Sequence, residues 1–196
     1  QAQWEEVMGS NPSNFKGANL PVEQVSWDDA TMFCAKLTER ERSAGLLPEG
    51  YAYQLPTEAQ WEYACRAGAK TAFSFGDSLS SREANFDGNH PYGDAAEGVS
   101  PEKTSAVGSY PANAWGFHDL HGNVWEWCQD WYGQYPNGPV RDPVGPAVGS
   151  RRVFRGGSWF NVAQYLRSAN RYWREPYCRT SSLLGFRLSL RTSPRA

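Results

Sequence analysis

The sequence predicts an α+β fold: two main helices, short antiparallel strands and much ordered loop. Three observations carry this expectation. Two segments have both start and stop signals for a helix, and several short apolar runs sit beside glycine. The third is composition: 9 Trp, 10 Tyr and 9 Phe accompany 19 Gly and 13 Pro, at a mean hydropathy of −0.66. Such a chain builds its core from large aromatic rings rather than long runs of Leu and Ile.

The first helix is expected over Asp28 to Arg42. Ser26 caps it, Asp28 and Asp29 lie at the positive end of its dipole, and Ala30, Phe33, Cys34 and Leu37 form an apolar stripe. Gly45 ends it. A second, shorter helix is expected over Glu58 to Ala67, opened by a Thr57/Gln60 capping box and closed by Gly68. From Phe73 to Ala114 periodicity fades, but Phe73, Phe75, Phe86, Tyr92 and Tyr110 supply anchors for packed loops. Strands are expected within Leu120 to Trp131, around Val124, Trp125 and Trp127, and over Arg152 to Arg155 and Phe186 to Leu190. Gly156-Gly157 and Gly185 beside them permit tight turns or close backbone approach.

At 196 residues the chain is expected to be one domain, 1–196. A net charge of −2 and a pI near 6.0 argue against nucleic acid or an anionic membrane as partner. No apolar run approaches the roughly 20 residues of a membrane span, and the first residues lack a secretory pattern, so a soluble chain without membrane insertion is expected. Cys34, Cys65, Cys128 and Cys178 show no metal-binding spacing and are expected to be mostly buried thiols. His90, His118 and His121 do not form a metal triad, since no helix places them on one face. Ser158 lies outside any nucleophile-elbow frame. Glu5-Glu6 and Asp28-Asp29 read as solvated helix charges.

Four blocks occur in order: Leu55 to Tyr63 (Leu-Pro-Thr-Glu-Ala-Gln-Trp-Glu-Tyr), Gly116 to Trp127 (containing Gly-Asn-Val-Trp-Glu-Trp), Arg155 to Trp159 (Arg-Gly-Gly-Ser-Trp) and Gly185-Phe186-Arg187. Together they resemble the formylglycine-generating enzyme (sulfatase-modifying factor) superfamily over nearly the whole chain. The resemblance implies an irregular C-type-lectin-like fold. It also matches Gln1 to Gly9 to an early family helix normally preceded by strands, so N-terminal strands of the family are expected to be missing here.

The family's activity depends on two cysteines five residues apart, shortly after the Gly-Gly-Ser block. Here that stretch, Trp159 to Ser168, contains no cysteine. A copper-dependent thiol oxygenase needs thiolate ligands for its cuprous ion, so neither copper nor a catalytic residue is expected. The same segment resembles the variable proteins of diversity-generating retroelements, where a fixed framework carries side chains altered by adenine replacement. The framework reads Gly156 to Trp159, Arg167 to Arg171, Pro176, Arg179 and Gly185 to Arg187, within a candidate variable region 153–188. Between lie Phe160, Asn161, Val162, Tyr165, Tyr172, Arg174, Tyr177, Cys178, Thr180, Ser181, Ser182 and Leu183, all reachable from an asparagine codon by changing its two adenines. Trp173 is reachable from an arginine codon, and Glu175 does not fit an asparagine origin.

Independently of any relative, Phe160, Tyr165, Tyr172, Trp173 and Tyr177 interleave with Arg, Ser, Thr and Asn. Large rings with few rotatable bonds beside adaptable polar groups make a recognition surface of the antibody type. The competing reading is that these rings fill the core. As a recognition surface, the thirteen positions from Phe160 to Leu183 imply a protein ligand of unidentified kind, because a broad patch suits a flat surface better than a buried pocket. Two other readings stay open: an enzyme or enzyme remnant of the formylglycine-generating type, and a plain accessory domain.

The resemblance further implies a structural calcium ion held by the carboxylates of Asp119 and Glu126 and the carbonyls of Gly122 and Val124. The alternative is that Asp119 caps a turn and Glu126 pairs with an arginine. A second family site would use Asn85 and Phe86, but its later half aligns with Val99 and Pro101, which bring no acid.

Overall fold

The computed structural model describes residues 1–179 and 181–192. Both expected helices form where their caps demand. In α2 (Trp27–Ser43) the Ser26 hydroxyl accepts the Asp29 amide and the Asp29 carboxylate returns to the Ser26 amide, satisfying two donors that the first turn leaves orphaned. Past its end Gly45 takes φ 69°. Helix α3 (Glu58–Arg66) opens on the same reciprocal cap, Thr57 with Gln60, and ends through Ala67 and Gly68, both at positive φ. A short α1 (Ala2–Met8) precedes them.

Six strands form two sheets. β1 (Tyr51–Gln54) pairs antiparallel with β6 (Ser189–Thr192). A four-stranded sheet joins β4 (Arg171–Arg174), β3 (Arg152–Arg155), β2 (Trp125–Trp131) and β5 (Leu184–Phe186) in that spatial order. The expected antiparallel strands form, with one exception: β2 and β5 run parallel. A parallel pair requires a long crossover, and the chain from Tyr132 to Leu183 supplies it. The single strand expected over Phe186 to Leu190 is two, one in each sheet. Between them Arg187 leaves the ladder to reach Glu126.

The core is aromatic, as the composition predicts. Trp125, Trp127 and Phe154 of the larger sheet pack with Leu55, Ala30 and Cys34. Trp4 stacks on Phe33, and Phe186 meets both edge-on. Buried indoles need acceptors: Trp127 Nε1 donates to Val25 O at 3.0 Å and Trp27 Nε1 to Cys128 O at 2.9 Å. The long loop is ordered by its rings, with Phe73 and Phe86 buried against Leu79, Ala163 and Leu166 and packed by Phe75 and Tyr92. Among the described residues no helix is long and apolar enough to cross a membrane.

Candidate functional site

β3 delivers the chain to Gly156 and Gly157, both at positive φ. A Cβ at Gly157 would lie 2.5 Å from Leu166 Cδ1, so only glycine lets this turn close on the 3-10 helix Ala163–Leu166. The following Ser158 is fully buried, and its amide and hydroxyl both donate to Asn161 Oδ1, at 3.1 and 2.7 Å. Its hydroxyl is thereby committed to a turn, not to nucleophilic chemistry.

From here to β5 the segment is held largely by its main chain. Asp87 N donates to Asn161 O at 3.0 Å, Trp27 N to Pro176 O at 2.8 Å, Gln24 N to Ser181 O at 3.2 Å and Trp125 N to Leu183 O at 2.7 Å. Side-chain donors act alike: Trp159 Nε1 reaches Ser182 O at 3.2 Å and Asn170 Nδ2 reaches Tyr165 O at 2.8 Å. The gripped atoms are carbonyl oxygens, which every residue type carries. Trp27 N opens α2, so Pro176 O also satisfies one of that helix's orphan donors.

Beneath the segment lies a layer of arginines docked on acids from earlier elements. Glu58 and Glu62, four apart on α3, project from one face. Arg155, fully buried, binds Glu58 at 3.2 Å and Glu62. It also donates to Ser168 O and Ala169 O. Arg171 forks onto Glu58 at 2.8 and 2.5 Å and donates to Gly133 O, while its guanidinium lies 4.1 Å from the Tyr135 ring centre. The Tyr135 hydroxyl donates to the same carboxylate at 3.1 Å. Asp29 takes Arg179 on both oxygens, at 2.5 and 2.6 Å, so it is no mere solvated helix charge.

None of the expected recognition residues that are described is buried. Phe160 and Tyr177 are 65% and 70% exposed, and Tyr172 and Tyr165 are 50% and 38% exposed, which excludes the core-filling reading for these four rings. Val162, Trp173, Arg174, Cys178, Ser181 and Ser182 are half-buried. The Trp173 ring centre lies 3.7 Å from the Arg151 guanidinium and 6.0 Å from the Tyr132 ring centre. Two positions serve the framework: Asn161 is tied up by Ser158, and Leu183 packs against the Trp125 cluster. Thr180 lies outside the described residues.

Of the expected calcium ligands, Glu126 pairs with an arginine. Glu126 is buried; its Oε2 accepts Trp61 Nε1 at 2.6 Å and Arg187 Nε at 2.5 Å, and its Oε1 accepts Arg187 Nη2 at 2.7 Å. Asp119 accepts the Gly108 amide at 2.7 Å. Of the expected set Asp119, Gly122, Val124 and Glu126, the last thus has Arg187 as its positive partner. Gly122 and Val124 act in packing: a Cβ at Gly122 would lie 2.3 Å from Asn85 O, and Val124 is buried. Asn85 is itself buried and donates to Lys103 O, Ser105 and Asn123, all uncharged partners. Among the described residues no three His, Cys, Asp or Glu side chains converge on a metal position.

Three cysteines are buried and Cys178 half-buried, as expected. Desolvation pushes the Cys34 and Cys65 thiols up to about 12 and holds Cys128 well above the ordinary range, so none of these three is a ready thiolate. His121 lies beside Cys65 as a neutral structural residue. Burial pulls it down to about 4, against its bond to Leu166 O.

Sequence reasoning missed the acid layer and the two tyrosines beside the segment, Tyr132 and Tyr135. The four-residue spacing of Glu58 and Glu62 on a helix was a usable signal for the first; nothing local marks the second.

The family model described as a sulfatase-modifying factor enzyme 1-like domain matches residues 1–192. A formylglycine-generating enzyme of Streptomyces coelicolor is 38% identical over 178 residues, covering 87% of this chain and 51% of the relative. One of Mus musculus is 32% identical over 204 residues, covering 100% of this chain and 50% of that one. The chain thus spans about half the length of these curated relatives. Among solved structures, Treponema denticola variable protein 1 superposes with a TM-score of 0.81 at 30% identity, over 98% of this chain and 81% of that chain. The expected likeness to both branches and the irregular lectin-like α+β fold are borne out.

Proposed function

This chain belongs to the sulfatase-modifying factor enzyme 1-like family, and we propose that it is a non-catalytic member that binds a protein ligand through a diversified C-terminal surface. One observation carries the reading. The segment from Phe160 to Leu183 is fixed through carbonyl oxygens and framework arginines, while Phe160, Tyr165, Tyr172 and Tyr177 stand exposed. Those four exposed side chains can change without removing what holds the backbone, as a variable surface requires. The likeness to a variable protein supports the same reading.

The test is the DNA around the gene. A near-identical template repeat differing mainly at adenines, next to a reverse transcriptase, is expected. Its absence would leave an invariant accessory domain.

The identity with formylglycine-generating enzymes favours a second reading, oxidation of a sulfatase cysteine. Against it stand the missing cysteines of 159–168 and three remaining thiols that are buried. Aerobic, copper-loaded protein given a sulfatase-type cysteine peptide separates the two, with no turnover expected.

A further inference from the structure

Glu23 is fully buried, and its Oε2 meets no hydrogen-bond partner among the described residues. The rest of the residue holds one turn. Its Oε1 accepts the Phe15 amide at 2.8 Å, and its own amide donates to the hydroxyl of buried Ser13 at 3.1 Å. That turn passes the hold onward. The Phe15 ring meets Trp159 edge-on at 5.6 Å between centres, and Trp159 in turn donates Nε1 to Ser182 O at 3.2 Å and meets the exposed Phe160 ring at 5.7 Å.

We infer that Glu23 is a positioning residue for the segment from Phe160 to Leu183, acting through Phe15 on Trp159, and that it holds this place as a neutral carboxyl. The inference rests on the reading of that segment as the ligand surface, and it names a residue outside the segment that sets its posture. A neutral carboxyl keeps the Phe15 bond through Oε1, whereas the ionised form leaves a buried charge short of donors. Burial accordingly pushes the group above the usual carboxylate range, against the amides of Phe15 and Asn14 and the charge of Lys16. Lys16 is exposed and its ammonium donates to Asn11 O at 2.7 Å. The other elements around Glu23 bring no charge: Trp4 of α1 and Phe33 of α2 pack with Val25, while Ser181 and Gly185 meet Gln24 and Val22.

With its folded value above the unfolded one, the native state binds the extra proton. Glu23 therefore favours the fold most in acid and loses that contribution as pH rises through the folded value. Ionised in place, the carboxyl is relieved by water at Oε2, and the turn bearing exposed Asn14 and Lys16 is the side that can part to admit it. Phe15 then backs Trp159 less firmly, and the bond from Trp159 to Ser182 opens more often. Ligand capture by the segment is thereby tied to acidity.

The experiment is NMR of the whole chain between about pH 4.5 and about pH 9, following the Glu23 side-chain carboxyl carbon, the Phe15 amide and the Trp159 indole N–H. All three should share one titration step. Exchange of the indole hydrogen, corrected for its intrinsic pH dependence, should be at least about tenfold faster above the step than below it. Glu23→Gln, the neutral isostere, should keep the Trp159 indole at its acid-side position and rate throughout. Phe15→Leu should leave the step at Glu23 and remove it from Trp159. A Trp159 that does not follow Glu23 in the wild type, a Trp159 step that persists in Glu23→Gln, or one that survives Phe15→Leu would each overturn the inference; the wild-type curves decide alone where a variant does not fold. The parent reading fails differently. A missing template repeat would remove the diversity and leave the shared step standing, whereas a diversified repeat beside a Trp159 blind to Glu23 would remove the positioning role alone.

Discussion

Asp29 joins the start of α2 to the segment from Phe160 to Leu183: one carboxylate closes the capping box with Ser26 and receives both arms of Arg179. Asp29→Ala should therefore loosen two places at once. A loss of about 1–2 kcal/mol is expected from the cap, since the exposed ion pair adds little. Exchange at the Gln24 and Trp27 amides should rise, because those donors hold Ser181 O and Pro176 O. Unchanged exchange there would separate the helix cap from the loop.

The division between framework and surface predicts two very different responses to substitution. Glu58→Gln leaves Arg155 and Arg171 short of a buried counter-charge and should cost about 3–5 kcal/mol in urea unfolding. Phe160→Ala and Tyr177→Ala, at mostly exposed rings, should stay within about 0.5 kcal/mol. Comparable losses at all three positions would refute the division.

A chelator should leave the melting temperature unchanged, because Arg187 already occupies the Glu126 carboxylate. Arg187→Met should lower it by several degrees, through a loss of about 3 kcal/mol or more. Destabilisation by EDTA, reversed on adding calcium, would restore the metal.

Two buried groups oppose each other in mild acid. Burial holds His121 down at about 4, so between about 6.5 and 4 the unfolded chain binds the extra proton, and acidification removes up to about 3 kcal/mol. Burial pushes Asp130 up to about 6 despite the Glu58 amide it accepts, so there the native state binds the extra proton and acidification stabilises. Asp130→Asn should keep the acceptor and lose that compensation. Its melting temperature should fall more steeply than the wild type's from pH about 7 to about 4.5; parallel curves would contradict this.

Local chemistry made both helices legible: Ser26 with Asp29 and Thr57 with Gln60 are signals a few residues long. β1 was not legible, because Tyr51-Ala-Tyr-Gln has no β-branched residue and owes its form to β6, far along the chain. The exposed rings were readable as a group from their interleaving with polar residues. Asn161 and Leu183 were not separable from them, since what distinguishes them is Ser158 behind one and the Trp125 cluster behind the other. Glu126 was ambiguous for the same kind of reason, as Arg187 lies 61 residues away.

The grip of Gln24, Trp27 and Trp125 on carbonyls between Pro176 and Leu183 has a consequence for biogenesis. Partners separated so widely in sequence close large loops, which slows folding. A ribosome makes Pro176 to Leu183 after α2 and β2, so until then the α2 entry and β2 wait with unfilled amides. A chain cut before Pro176 would leave the Gln24, Trp27 and Trp125 amides without these acceptors.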